Sequence, residues 1–530
     1  MTTGNIVVRL KPDTTSVHAA VPVVSGFSRT GSWGQPDVRT MLRKLLKIVA
    51  SMASVVIVGG GLAYLFFGLR VVLDGGGTPH LRFVESPAAQ AERVQRHRET
   101  QRAESAPASG AATVAAPTPD ALKEIGVEAG LQTRQDDRAT RLPPPYWTDF
   151  RGPKRDGDYR EGPILTDWPS SGLKPIWKQP AGAGYASFVL AKNRAFTIEQ
   201  RGAQEVVAAY DVASGRELWT NSWPAEFRES MGGDGPRATP TWADGVVYAL
   251  GATGELRALE EGSGRVVWRT NILADSGAGN LPWGMAAAPL IVGNAVVVLP
   301  GGPRDQSVAA YDRATGKRVW SAIGDAQAYA SPMLVTLAGI PQIVVLSATR
   351  LVGLSADGSK ELWSYAWPAY NGINAAQPLV IGSNRLFLSS GYGSGAAVIE
   401  MTSAPSGFTV REIWRNNRMK NRFASSVLHD GIIYGLDESI LAAVDASTGD
   451  LKWKGGRYGY GQLLLAGGRL IILTEDGDLA LVRATPERHE ELTRFHVLDG
   501  KTWNVPAIAG GYLLVRNLAE MAAFDLRVPR

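Results

Sequence analysis

Three segments of the chain share one skeleton: AAYDVASGRELW at 208–219, AAYDRATGKRVW at 309–320 and AAVDASTGDLKW at 442–453. In each, an Asp is followed four residues later by a Gly and four after that by a Trp. Such a fixed spacing constrains the fold tightly, because a recurring unit has to pack against copies of itself. Aligning the chain on this skeleton marks Trp177, Trp219, Trp268, Trp320, Trp363, Trp414, Trp453 and Trp503, at gaps of 39 to 52 residues. Eight marks imply eight units. A period in the forties suits four-stranded propeller blades, whereas helical repeats of that length would show a 3.6-residue periodicity absent from Tyr146 onward.

One unit, 239–271, reads as a meander of TPTWA, VVYALG, ELRALE and RVVWRTN separated by DG, ATG and EGSG turns. The Asp of the skeleton can cap its turn through a side-chain oxygen, and the Gly supplies positive φ at low cost. The Trp then falls on the outermost strand, where its ring can pack on the next blade. The two ends of this region complement each other. LKPIWKQP (173–180) carries a Trp strand with no meander before it, and 505–526 supplies a meander with no Trp strand after it. Pairing them closes the ring and leaves no orphan sheet edge. A content of 60 Gly, 31 Pro and 15 Trp, with 20% charged residues, agrees with a turn-rich all-β protein. The expected fold is an eight-bladed β-propeller over 146–530, preceded by one transmembrane helix and a disordered tether.

The transmembrane expectation rests on residues 48–69, an uncharged run of 22 residues. As a helix it spans a hydrocarbon core of about 30 Å, and it exceeds the apolar core of a cleaved secretory signal. Arg39, Arg43, Lys44 and Lys47 precede it, which places the N-terminus in the cytoplasm and exports the C-terminal bulk. The predicted organisation is a disordered tail at 1–40, a signal-anchor at 41–73, a flexible Ala/Pro/Gln-rich linker at 74–145 and the propeller at 146–530. Composition favours a short helix near 88–104 within that linker. Met41 opens MLRKLLKIVASMASVV, a basic flank and apolar core of the kind that starts a chain. The predicted location is the inner membrane, single-pass, with the propeller periplasmic.

A formal charge of +5 without a Lys/Arg cluster argues against nucleic acid as a partner. The absence of cysteine excludes disulfides, cysteine zinc sites, thiol nucleophiles and a lipidated cysteine. The six histidines show no metal-binding spacing, no serine lies in a G-x-S-x-G elbow, and neither GDGPRAT nor GGGLAY joins a strand to a helix start as a phosphate cradle requires.

In a propeller, ligand groups come from the residues just before each inner strand. There the sequence places Arg237, Trp283, Tyr329, Asn374, Arg422, Arg457 and Lys501. Converging on one mouth, they would form a funnel for an anionic, partly planar or extended ligand. Otherwise they bridge neighbouring blades and solvate the rim.

The D-x-x-[ST]-G-x-x-x-W pattern, clean at Asp211–Trp219, Asp312–Trp320 and Asp445–Trp453, resembles the tryptophan-docking repeat of the quinoprotein (PQQ-dependent dehydrogenase) superfamily and of BamB-like propellers. WTDFRGPKRDG (147–157), GPRATPTW (235–242) and GDLALVRATPE (477–487) are similar to segments of PQQ-binding-like β-propeller repeat proteins. The resemblance covers nearly all of 146–530 and implies the fold. For function it implies either a scaffold like BamB of the outer-membrane β-barrel assembly machinery, or an alcohol or sugar dehydrogenase using PQQ with Ca²⁺. A metal beside the quinone would need converging oxygen ligands. Asp234, Asn280, Asp325, Asn371 and Asn374 lie in suitable loops but match no ligand motif, and the blades lack the long insertions that roof such an active site. The expectation is therefore a non-catalytic module with no cofactor, meeting an envelope protein or an anionic ligand. Its eight tryptophans are expected to be structural. BamB is held by a lipidated cysteine; here the helix would do the holding.

Overall fold

The computed structural model of the chain describes residues 42, 45–47, 49–52, 68–105, 146–405 and 407–528. They fall into two units, Met1–Phe67 and Gly68–Arg530. Only scattered helical positions between Leu42 and Met52 are described in the first. Among the described residues no helix is long and apolar enough to cross a membrane. The predicted span 48–69 lies largely outside them, as do the tail 1–40 and the linker beyond 105.

The second unit carries the predicted ring. Eight antiparallel meanders form blade 1 (189–224), blade 2 (241–271), blade 3 (290–322), blade 4 (333–366), blade 5 (379–416), blade 6 (427–457), blade 7 (462–496) and blade 8 (507–525). Blade 8 contributes its own three strands and takes its fourth from Trp177–Pro180, with Ala523 opposite Trp177. The ring is thus closed by joining the two ends of the domain, as the incomplete units at 173–180 and 505–526 required. Buried aliphatic side chains pack between neighbouring blades all round the ring.

The repeat skeleton does what its chemistry suggested. Asp211 accepts from Ser214 N at 2.8 Å, and Asp312 from Thr315 N at 2.9 Å. The glycine serves the neighbouring blade as well. Trp177, Trp219, Trp268 and Trp414 lie against Gly215, Gly264, Gly316 and Gly449 of the following unit, each a positive-φ residue. Each indole also donates to a carbonyl of that unit, at 2.7 to 3.0 Å. Trp453 donates to Thr485 O at 2.8 Å, and Trp320 lies against Gly358.

Two positions depart from this rule. Trp363 donates to Gln342 Oε1 at 2.5 Å inside its own blade, and the blade after it, blade 5, carries the longest hairpin, 395–416. Trp503 does not dock blades at all. It sits in a loop before blade 8, and Phe495 of blade 7 takes the docking place, edge-on to Trp168 and against Gly172.

Three segments before the ring are built onto it. Strands β1 (Leu69–Leu73) and β2 (Pro79–Phe83) form a hairpin, and α1 (Pro87–Ser105) supplies the helix expected near 88–104. Composition alone had assigned 74–105 to flexible linker, yet α1 lies along the closure. Gln90 donates to Ala181 O at 3.0 Å, while Arg98, 1% exposed, donates to Gln179 Oε1 at 2.8 Å and faces Glu217 at 3.4 Å. The helix therefore spans blades 8 and 1 beside the seam inside blade 8, where Trp177–Pro180 pairs with the C-terminal strand without covalent continuity.

The third segment, 147–157, enters the channel. Arg151 and Arg155 are both buried and both adopt positive φ. Arg155 donates to Pro332 O at 2.8 Å, Ala288 O at 3.3 Å and Pro289 O, and pairs with Asp149 at 2.9 Å. Arg151 donates to Ser426 O at 2.8 Å and Leu463 O at 3.2 Å. These carbonyls lie where the inner strands of blades 3, 4, 6 and 7 begin, so two guanidiniums satisfy acceptors from half the ring. Burial lowers Arg151 to about 10. Gly157 combines positive φ with the one space Arg151 needs: a Cβ there would overlap the guanidinium.

Candidate functional site: an aromatic vestibule on the ring axis

Beyond the plug the channel opens into a cavity of about 650 Å³. Seven blades lend it side chains from the segment before the inner strand, among them Tyr185, Arg237, Trp283, Tyr329, Arg422 and Trp503, and blade 7 lends Gln462 at the start of its inner strand. Phe150 of the plug and Leu73–Gly77 of the β1–β2 hairpin also line it. Inner strands crowd together at a propeller's axis, so their entry segments face one another across it.

Aromatic rings make most of the wall. Trp503 stacks on Tyr185 at 5.2 Å and meets Phe423 at 4.5 Å, while Trp283 and Tyr329 meet edge to face at 5.8 Å. Tyr370 stacks on Tyr392 at 5.6 Å. Burial pushes the Tyr329 hydroxyl up to about 12 and Tyr185 higher still, so both stay neutral. Tyr185 donates to Gly232 O at 2.5 Å.

The cations at this mouth are engaged by the chain itself. Arg237 donates to Gly235 O and Gly233 O, both at 2.8 Å, and lies over the Phe227 ring at 5.0 Å. Burial lowers its pKa. Arg422 pairs with Glu438 at 2.6 Å, lies over Tyr392 at 4.3 Å and donates to Gly75 O. Lys501 sits over Trp503 at 4.3 Å and donates to Met231 O at 2.8 Å and Leu73 O at 3.2 Å; burial lowers it to about 8. With two carbonyls on its ammonium, Lys501 holds loops together.

Of the seven residues expected to form the funnel, Arg237, Trp283, Tyr329 and Arg422 line the cavity and Lys501 sits at its rim. Asn374 does not reach it. Its side chain is fully buried, donating to Ser347 O at 2.8 Å and Trp367 O at 3.2 Å and accepting from Ser390 Oγ at 2.5 Å, so it braces blades 4 and 5. Arg457 is exposed at the end of blade 6 and bonds Ser439 Oγ at 3.0 Å. Sequence reasoning missed Phe150, Tyr185, Tyr370, Tyr392 and Phe423. For Tyr185 and Phe423 the signal existed, an aromatic just before an inner strand; Phe150 and Tyr392 sit in irregular turns that carry none.

Bound PQQ with Ca²⁺ would need free cations for its carboxylates and oxygen ligands for the metal. The residues present fit this poorly. Arg237, Arg422 and Lys501 already serve carbonyls and carboxylates of the chain, and Glu475 accepts from Gly75 N at 2.6 Å, Trp503 Nε1 at 2.9 Å and Tyr460 N at 3.1 Å. Among the described residues no three His, Asp or Glu side chains group as a metal site would require.

The model of the family described as outer membrane protein assembly factor BamB matches residues 203–455. Outer membrane protein assembly factor BamB of Bordetella pertussis is 24% identical over 315 residues, covering 56% of this chain and 72% of that protein. The crystal structure of BamB from Moraxella catarrhalis aligns with a TM-score of 0.49 at 13% identity, over 68% of this chain and 99% of its own. Quinohemoprotein alcohol dehydrogenase from Comamonas testosteroni aligns with a TM-score of 0.54 at 14% identity, over 73% of this chain and 82% of its own. At 14% identity the Comamonas structure speaks to the fold alone.

Proposed function

We propose that the chain is a PQQ-like β-propeller repeat protein acting as a non-catalytic extracytoplasmic scaffold that binds an envelope protein in the manner of BamB-type assembly factors. The observation that carries this reading is the composition of the vestibule. Six of the eight blades bring aromatic rings to one mouth, while the charged groups that chemistry would need are paired within the chain. Aromatic side chains on a rigid frame are the usual anchors of protein recognition. The name of the Bordetella relative supports an envelope partner. In this reading the helix at 48–69 anchors the protein in the inner membrane with the ring in the periplasm, the place a lipidated cysteine would otherwise fill.

Two measurements test it. A photo-crosslinking residue at Tyr370, which is exposed at the mouth, is expected to capture an envelope protein in intact cells. The purified full chain, given PQQ and Ca²⁺, is expected to reduce no dye with alcohols or sugars. Turnover that depends on PQQ would overturn the scaffold reading in favour of a dehydrogenase.

A further inference from the structure

The β1–β2 hairpin reaches the vestibule with its turn, and every polar contact the turn makes there is through its backbone. Glu475 accepts from Gly75 N at 2.6 Å, Arg422 donates to Gly75 O, and Lys501 donates to Leu73 O at 3.2 Å. The Tyr460 ring lies so close over Gly75 that a Cβ would overlap it. The mouth thus holds a stretch of polypeptide by its peptide groups, and it asks of the sequence a glycine under Tyr460. The residues seated are Gly75, Gly76 and Gly77, which send no side chain into the 650 Å³ of aromatic-walled space they border.

The hairpin is also held weakly. A two-stranded ribbon is marginal by itself in water. The face of this one that carries Val71, Leu81 and Phe83 is exposed, at 62%, 70% and 71%. Outside the turn, the exposed pair Arg82–Asp476 at 3.0 Å ties it to the ring.

We propose that the hairpin turn is a displaceable placeholder, and that the vestibule is a binding site for an extended segment of a partner polypeptide carrying a large aromatic side chain. A glycine of the partner takes the place of Gly75 under the Tyr460 ring, and the partner's peptide groups take the contacts of Gly75 and Leu73 with Glu475, Arg422 and Lys501. Its aromatic side chain enters the space the glycines leave, among Trp283, Phe423 and Trp503. The exchange favours the partner because the placeholder supplies the backbone contacts and no side-chain burial. This deepens the scaffold reading and rests on it.

The test uses the full chain in nanodiscs and a fluorescein-labelled heptapeptide with a central glycine flanked by serines and phenylalanines, beside a counterpart with alanine in place of phenylalanine. Binding is read by anisotropy and hairpin opening by hydrogen exchange over 69–83. Arg82→Glu, which lies outside the cavity wall, is expected to loosen the hairpin and to tighten phenylalanine-peptide binding about three- to fivefold, the range set by an exposed ion pair. The charge-swapped double variant Arg82→Glu/Asp476→Arg is expected to restore both readouts. The alanine peptide is expected to bind at least about tenfold more weakly. Equal binding of the two peptides, unchanged affinity once exchange shows the hairpin open, or displacement of the hairpin by PQQ but not by peptide would each overturn the proposal. If Tyr370 crosslinks an envelope protein while neither peptide binds, the scaffold reading stands and the vestibule site does not.

Discussion

The two ends of the central channel are closed by segments from the same side of the sequence, and they are closed in opposite ways. At one end the 147–157 loop inserts two buried arginines, which satisfy inner-strand carbonyls of four blades. At the other a glycine turn rests on Glu475, Arg422 and Lys501 through backbone groups, with an exposed ion pair behind it. Removing the first segment would strand buried acceptors; removing the second exposes a few polar groups to water. The first is part of the fold, and the second is a contact the ring can lose.

The largest effect is expected where that contrast is sharpest. Arg155→Ala leaves Asp149 and several inner-strand carbonyls without their donor and should cost about 3–5 kcal/mol in urea unfolding. A loss comparable to that of an exposed arginine would show that the plug is not structural.

Next comes a buried charge on the ring itself. Glu205 of blade 1 accepts from Ala252 N at 2.8 Å, and burial raises it to about 7. Between its ordinary value near 4.5 and about 7, the folded chain keeps a proton that the unfolded chain has released. Its contribution to stability therefore falls as pH rises through this window. Glu205→Gln is expected to be more stable than the parent by about 1–3 kcal/mol at pH 8, with the gap closing by pH 4.5. A gap that persists at pH 4.5 would point to packing instead of titration.

The smallest effect on global stability is expected at the turn. Gly75→Ala drives a Cβ into the Tyr460 ring, so the turn should leave its seat. Hydrogen exchange across 69–83 should quicken about tenfold, while the melting temperature moves by no more than about 1 °C. A melting loss of several degrees would make the hairpin part of the fold.

The ring was legible in the sequence because its signal is periodic. Asp211, Gly215 and Trp219 recur as a set, and the unmatched ends at 173–180 and 505–526 gave the closure. Trp503 was misread because its spacing fits the period although the turn before it does not: VLDGKTW has two residues between Gly and Trp where the skeleton has the three that bring the ring onto an outer strand. The correct docking residue, Phe495, was hidden by the change of residue type. At the site, position before an inner strand was a sound guide to Arg237, Trp283, Tyr329 and Arg422. It failed for Asn374, whose amide finds partners inside the blades, a matter of direction that spacing does not encode. The segment 74–105 was misjudged for another reason. Its Ala, Gln and Arg content is that of a chain unable to build a core, but Arg98 and Gln90 need only the acceptors another element already exposes.

The most direct test is hydrogen exchange of the full chain with and without the phenylalanine peptide. Peptide should slow exchange at 283–286, 329–331 and 502–505, quicken it at 69–83 and leave 87–105 unchanged. Slower exchange at 69–83 in the presence of peptide would mean that the hairpin stays seated, and would contradict a vestibule that exchanges its own turn for a partner's chain.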